Sequence, residues 1–104
     1  MKEREKAFEN KFFHDKETLF KLQSRQKKLL GLWAAGVMHK SEEESLEYAL
    51  ELVTHGVSDS NDGAVVSKVY ADIDTAGLDF TESDIREKME ELKLVAMEQL
   101  EEEA

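Results

Sequence analysis

Apolar residues recur at helical spacing along most of the chain, and the pattern predicts four helices. The first is predicted over residues 3–38, where no proline or other stop signal interrupts the sequence. Gly31 and Gly36 lie inside it, and each costs about 1 kcal/mol without ending a helix. At 100° per residue, one apolar stripe collects Phe8, Phe12, Leu19, Leu22, Leu30 and Trp33, with Leu29 at its edge. Phe13 and Phe20 form a second strip about a quarter turn away.

Local sequence signals predict where three shorter helices begin. Ser41 and Glu44 form a capping box, in which each side chain bonds the backbone N–H of the other residue. Thr81 with Asp84 repeats this spacing and predicts the start of the last helix. Between them, the turn-rich stretch VSDSNDG predicts a link, so the third helix should begin near Asn61.

Glycines predict the ends of two of these helices. Gly56 and Gly77 are placed to take the left-handed conformation that ends the second and third helices. The residues predicted to face the core are Leu46, Ala49, Leu50 and Val53 in the second helix, Val65, Val66, Val69, Tyr70 and Ile73 in the third, and Ile85, Met89, Leu92 and Ala96 in the fourth.

These elements predict an all-α, four-helix bundle-like domain with a long N-terminal helix or a partly disordered N-terminal arm. We expect a single domain over residues 1–104, with a partner-binding arm at 1–20 and a helical bundle at 21–104. A helix over 3–38 would be about 54 Å long, against about 21 to 28 Å for its neighbours. Either it breaks near Gly31 and folds back, or its first turns overhang with Phe8, Phe12 and Phe13 uncovered. The alternative is that these phenylalanines complete the core.

Composition and charge distinguish the first segment from the rest. The 104 residues are 40% hydrophobic and 37% charged, which is typical of a soluble helical protein, and there is no cysteine for disulfides. Residues 1–28 carry nine Lys/Arg against five Asp/Glu, whereas residues 29–104 carry five against nineteen. The acidic body argues against nucleic acid as a partner, and the basic segment is either partner-facing or held on that body. The longest apolar run, 29–38, is too short to span a membrane, so a cytoplasmic protein is expected.

Other chemistry finds little support in the sequence. His14, His39 and His55 lack the spacing of a zinc site, and we expect no metal. The stretch 72–83 begins like a calcium loop but has Ser83 where a bidentate glutamate is required. Neither a phosphate-binding P-loop nor a nucleophile elbow is present, so the chain is not expected to be an enzyme.

The N-terminal half carries a family resemblance. REKAFENKFFHD, followed by FK and by LLGLWAA, resembles the zeta subunit of the alpha-proteobacterial ATP synthase, an inhibitor family formerly described as a domain of unknown function. The positions that match the family pattern are Arg4, Glu5, Ala7, Phe8, Glu9, Lys11, Phe12, His14, Asp15, Phe20, Lys21, Leu29, Leu30, Gly31, Leu32, Trp33, Ala34 and Ala35. Phe13, where the pattern has a small residue, and Gln26-Lys27, where it has Arg-Asn, depart from it.

The resemblance implies an inhibitory, non-catalytic subunit. Its N-terminal helix would insert into a catalytic interface of the soluble head, formed by the alpha, beta and gamma subunits, and block ATP hydrolysis while permitting synthesis. The implied partner-binding residues are Arg4, Glu5, Lys6, Phe8, Glu9, Lys11, Phe12, Phe13, His14 and Asp15. The implied hinge and core residues are Leu29, Leu30, Gly31, Leu32 and Trp33.

The same resemblance implies a cytoplasmic location, peripheral to the inner membrane through the ATP synthase, and a chain that is a monomer when free. No cofactor would be required, although family members are associated with adenine nucleotide binding, which we expect to be weak here. The alternative function is a small acidic helical adaptor, or a bundle that self-associates through the aromatic stripe.

Overall fold

The computed structural model describes residues 15–59 and 62–103 as four helices: α1 (Lys16–Val37), α2 (Glu42–Asp59), α3 (Asp62–Thr75) and α4 (Glu82–Glu103). Within these residues there is no β-strand. The predicted all-α, bundle-like fold is confirmed. Helix α1 packs along both α2 and α4, and α3 closes the bundle against these two helices.

Both predicted capping boxes form. The Ser41 N–H donates to Glu44 Oε1 at 3.1 Å, and the Glu44 N–H donates to Ser41 Oγ at 3.1 Å. The Thr81 N–H donates to Asp84 Oδ2 at 3.0 Å, and the Asp84 N–H returns a 3.0 Å bond to Thr81 Oγ1. Each box satisfies backbone donors that the first turn of a helix leaves without partners, which is why α2 and α4 begin where the sequence predicts.

The two predicted glycine stops have different outcomes. Gly77 has φ +82°, and the Leu78 N–H donates to the carbonyl of Ile73 at 3.2 Å, so the predicted left-handed end after α3 is confirmed. The stop predicted at Gly56 is wrong, because α2 continues through it to Asp59. A glycine inside a helix costs only about 1 kcal/mol, which neighbouring helical residues can offset.

Among the residues that the structure describes, buried side chains form two core clusters. The larger lies between all four helices and is formed by Leu30, Ala34, Ala35, Tyr48, Leu52, Val65, Val66, Val69, Ile73, Ile85 and Met89. The smaller joins Leu22 of α1 to Ala96, Met97 and Leu100 of α4. The inner faces predicted for α3 and α4 are buried or partly buried at every predicted position. Burial of these faces is the main force that holds the helices together.

The predicted inner face of α2 is wrong at two positions. Leu46 and Leu50 are 48% and 61% exposed, whereas Tyr48, Ala49 and Leu52 are buried. Of the predicted residues, Ala49 alone is fully buried, and it lies against Gly31 of α1. Because Gly31 has no side chain, α1 can approach α2 at Ala49, and this close contact rotates α2 so that Leu50 faces outward.

Two polar residues of α1 are buried where the chain departs from the family pattern. Gln26 and Lys27 are each only 4% exposed. The Gln26 side-chain amide donates to the backbone carbonyl of Met89 at 2.8 Å, which links α1 to the middle of α4. Within the described residues, no buried side-chain nitrogen or oxygen lacks a hydrogen-bond partner, as the cost of burying an unpaired polar group requires.

Candidate partner-binding surface

Most of the predicted partner-binding residues lie outside the described part of the chain. Those residues are Arg4, Glu5, Lys6, Phe8, Glu9, Lys11, Phe12, Phe13 and His14. Asp15 is described: it is exposed, has extended backbone angles and forms the N-cap of α1. Its carbonyl accepts the Leu19 N–H at 2.9 Å, while its side chain makes no capping hydrogen bond. Asp15 thus lies directly before the described helix, and residues 16–20 of that helix belong to the predicted arm.

The first turns of α1 are not covered by the bundle. Leu19 and Phe20 are 37% and 53% exposed, and the charged residues beside them, Lys16, Glu17 and Lys21, are also exposed. The first buried residue of the helix is Leu22, at 3% exposure. The apolar stripe predicted from the sequence therefore passes from an uncovered to a covered surface between Leu19 and Leu22.

The helix is continuous through the predicted hinge. Residues 29–33 lie inside α1, Leu30 and Gly31 are buried, and no helix break occurs near Gly31. Of the two predicted alternatives, the one in which the helix breaks near Gly31 and folds back is wrong, because Gly31 is packed against Ala49 rather than exposed at a turn. A hinge needs residues that can change backbone angles freely, and this packing opposes such a change.

Trp33 anchors the second half of α1 to the α3–α4 connection. Its ring meets that of Phe80 edge to face, with 5.6 Å between ring centres, and Lys88 Nζ lies 5.5 Å from the Trp33 ring centre. Leu29 packs against the smaller core cluster and Trp33 against the larger one. These contacts hold the half of α1 that follows the exposed turns, so that half is a fixed support for whatever precedes it.

A groove of about 460 Å³ opens beside the exposed start of α1. Apolar side chains from three helices line it: Phe20 from α1, Leu50 and Val53 from α2, and Leu100 from α4. The remaining lining residues, all from α1 and α4, are Lys21, Ser24, Arg25, Lys28 and Glu103. Leu100 is 8% exposed and forms the floor, whereas Phe20 and Leu50 expose more than half of their surface.

A bidentate ion pair closes one edge of this groove. Arg25 Nη1 and Nη2 donate to Glu103 Oε2 and Oε1 at 2.8 and 2.9 Å, and Nη1 also donates to Gln99 Oε1 at 2.8 Å. Because the hydrogen bond with Arg25 stabilises the charged carboxylate, it lowers the pKa of Glu103, and the same bond raises the pKa of Arg25. The paired fork geometry fixes the last turn of α4 against α1.

A second, more polar cavity of about 490 Å³ lies between α2 and α3. The Tyr48 hydroxyl donates to Asp72 Oδ2 at 2.8 Å, and Lys68 Nζ donates to the same oxygen at 3.1 Å. Burial, reinforced by the hydrogen bond to Asp72, raises the pKa of Tyr48 well above its usual range. Lys40 and Lys68 place their ammonium groups 5.8 and 5.4 Å from the Tyr48 ring centre. Lys68 Nζ also lies 3.8 Å from Glu51 Oε1, so the contacts of Lys68 with Glu51 and Tyr48 join α3 to α2.

Within residues 15–59 and 62–103, no group of three or more His, Cys, Asp or Glu side chains is placed to hold a metal ion. The predicted partner residue His14 and the side chain of His55 lie outside what the structure describes, and His39 is exposed at the end of α1.

None of the helices in the described part is long and apolar enough to cross a membrane.

Comparison with known families gives the decisive observation. The family model described as ATPase inhibitor subunit zeta matches residues 1–99, which is nearly the whole chain. The chain belongs to the ATPase inhibitor subunit zeta family. The match includes the N-terminal residues predicted to bind a partner, and it confirms the family resemblance of the sequence. A comparison with curated proteins found no match.

Membership of the zeta family relates the chain to the ATP synthase as an inhibitor subunit. The sequence predicted the burial of Leu30 in α1, but it assigned Leu50 to the core and did not connect Phe20 with α2. The signal that identifies Leu50 as exposed is the pair Gly31 and Ala49, because two small residues mark the line along which two helices approach most closely. With Ala49 on that line, Leu50 lies about 100° away from it.

Proposed function

We propose that this zeta-family protein inhibits the ATP synthase by inserting its N-terminal segment, residues 1–20, as a helix into a catalytic interface of the alpha, beta and gamma subunits. In this proposal the inserted segment blocks rotary ATP hydrolysis and permits synthesis. The observation that carries the proposal is the passage of one apolar stripe from exposed Leu19 to buried Leu22 in α1. The part from Leu22 onward anchors the stripe to the bundle, and Leu19, 37% exposed, is the described end of the part that we propose binds the partner.

The sequence of the arm supports this role. Phe8 and Phe12 are four residues apart, so on a helix they lie on one face, as the anchors of a helix that binds in a groove do. Arg4, Lys6 and Lys11 would surround these anchors and pair with acidic groups at the rim of the interface. A few aromatic anchors commonly provide most of the binding free energy at such an interface.

The packing of the second half of α1 against the bundle also supports this mechanism. Leu30 and Gly31 are buried, and Trp33 is held by Phe80 and Lys88. A rotating subunit that pushes on an inserted helix would be resisted by the four-helix bundle behind it. We therefore propose that the bundle acts as the support and the arm as the blocking element.

No cofactor takes part in this proposal. Weak adenine nucleotide binding stays a prediction. The polar cavity is a poor location for it, because Lys68 is already paired with Asp72 and the Asp72 carboxylate would repel a phosphate group. Titration of the free protein with ATP, followed by Trp33 fluorescence and by chemical shifts, would detect such binding.

The proposal is tested by inhibition of ATP hydrolysis. The purified soluble head, stripped of its own inhibitor, is titrated with the parent chain, with Phe8→Ala/Phe12→Ala, and with the control Leu46→Ala, which removes an exposed leucine of α2. We expect the double variant to need at least about tenfold more protein for half inhibition, and the control to match the parent. The free energy of unfolding of the Phe8→Ala/Phe12→Ala variant should stay within about 1 kcal/mol of that of the parent. Equal inhibition by all three proteins would contradict the proposal, and no inhibition by any of them would favour the adaptor alternative.

A further inference from the structure

The groove beside the start of α1 is an exposed apolar surface at a defined place in the bundle. Phe20 and Leu50 are 53% and 61% exposed, and they face a floor formed by Leu100. Val53 completes the apolar lining, so α1, α2 and α4 all contribute to it. Apolar surface gathered in a concave site is the feature that receives the apolar side chains of a partner segment.

The rim of the groove is basic, although most of the protein is acidic. Lys21, Arg25 and Lys28 line it together with a single acidic residue, Glu103. Arg25 is already bound to Glu103 through two hydrogen bonds, so Lys21 and Lys28 are the lining cations outside this hydrogen-bonded pair. The three lining cations belong to the basic first segment of the chain, whereas residues 29–104 carry five Lys/Arg against nineteen Asp/Glu.

Charge complementarity decides between the occupants that could reach the groove. The chain's own residues 1–14 carry four Lys/Arg against three Asp/Glu, so they are not complementary to a basic rim. A segment that presents apolar side chains flanked by carboxylates is complementary both to the lining and to Lys21 and Lys28.

We propose that the groove formed by Phe20, Leu50, Val53 and Leu100, with Lys21 and Lys28 at its rim, is a second docking site that receives an acidic amphipathic helix of the ATP synthase head. This inference rests on the proposed function and deepens it, since it gives the bundle a contact of its own beside the inserted arm. Docking there would hold the bundle at the entrance of the interface, so that α1 continues directly into the arm. The site would raise the affinity of the complex without forming the block itself.

The inference is tested with full-length variants of the lining and of the rim. The lining variant is Leu50→Ser, which lies outside the arm, and its control is Leu46→Ser, an exposed leucine that does not line the groove. The rim variant is Lys21→Gln/Lys28→Gln, and its control is Lys40→Gln/Arg86→Gln, which removes the same charge from two residues that do not line the groove. Circular dichroism first establishes that each variant keeps the helical content and thermal midpoint of the parent.

Affinity for the purified head is then measured at low and high salt, together with the extent of inhibition at saturating protein. We expect the lining and rim variants to bind about tenfold more weakly than their controls, and the rim variant to lose much of the salt dependence. At saturation both should still inhibit fully, because the arm is unchanged.

Two results would overturn the inference while leaving the proposed function intact. In the first, the intact chain inhibits and both groove variants bind within about twofold of their controls. In the second, analytical ultracentrifugation finds that the free parent chain self-associates and that Leu50→Ser abolishes this, which would make a second copy the occupant. Failure of the intact chain to inhibit would instead contradict the proposed function on which the inference rests.

Discussion

Gly31 and Ala49 bring α1 and α2 closer together than any side chain at position 31 would allow. A Cβ atom on Gly31 would lie 2.6 Å from Ala49 Cα and 3.2 Å from Leu52 Cδ1. The nearest of these atoms belongs to backbone, which cannot move aside as the end of a flexible side chain can. This contact sets the rotation of α2, and therefore which of its leucines face the solvent.

Substitution of this glycine tests the contact. We expect Gly31→Ala to lower the free energy of unfolding by about 1 to 3 kcal/mol, because the two helices must separate to admit the methyl group. Gly36→Ala is the matched control, since a Cβ on Gly36 would meet nothing within 4 Å. The control should raise stability by up to about 1 kcal/mol through helix propensity. Urea unfolding measures both values, and equal effects of the two substitutions would rule out a special role for Gly31.

The left-handed backbone conformation of His39 and Gly77, which follow α1 and α3, leads to a second prediction. His39 has φ +60° just after α1, and Gly77 has φ +82° after α3. A side chain strains this conformation by about 1 to 2 kcal/mol. We therefore expect Gly77→Ala to destabilise the protein by about that amount, and His39→Gly to stabilise it by about 0.5 to 1 kcal/mol. Thermal unfolding gives both values, and a destabilised His39→Gly variant would indicate that the imidazole makes a contact that outweighs the strain.

The raised pKa of Tyr48 leads to a prediction about the stability of the bundle at high pH. Its pKa is raised in the folded state by burial and by its bond to Asp72. The stability that this shift contributes is fully present below the unfolded-state pKa of about 10 and is lost as the pH rises above it. In a Tyr70→Phe variant, Tyr48 is the only tyrosine. Its absorbance change should then coincide with the loss of helical signal. Ionisation of Tyr48 while the helices remain intact would contradict the prediction.

Much of the fold could be predicted because its signals are local. Ser41, Glu44, Thr81 and Asp84 form the predicted capping boxes, and Gly77 ends α3 as predicted. Such signals depend on hydrogen bonds between residues three to five positions apart, so the residue types that form them stand close together in the sequence.

The inner face of α2 could not be predicted in this way. Two sets of residues in that helix have helical spacing: the predicted set of Leu46, Ala49, Leu50 and Val53, and a second set of Tyr48, Ala49 and Leu52. The packing of both Ala49 and Leu52 against Gly31, a residue of α1, selects the second set. The groove was not predicted for the same reason, since it depends on Phe20, Leu50 and Leu100 meeting from three helices.

The central claim is that inhibition is carried by the N-terminal segment. The most direct test is the rate of ATP hydrolysis by the purified ATP synthase head, titrated with the intact chain and with a variant that lacks residues 1–14, whose helical content is checked by circular dichroism. We predict saturable inhibition by the intact chain and none by the shortened chain, although its bundle is folded. Equal inhibition by a folded shortened chain would contradict the claim and move the inhibitory surface to the bundle.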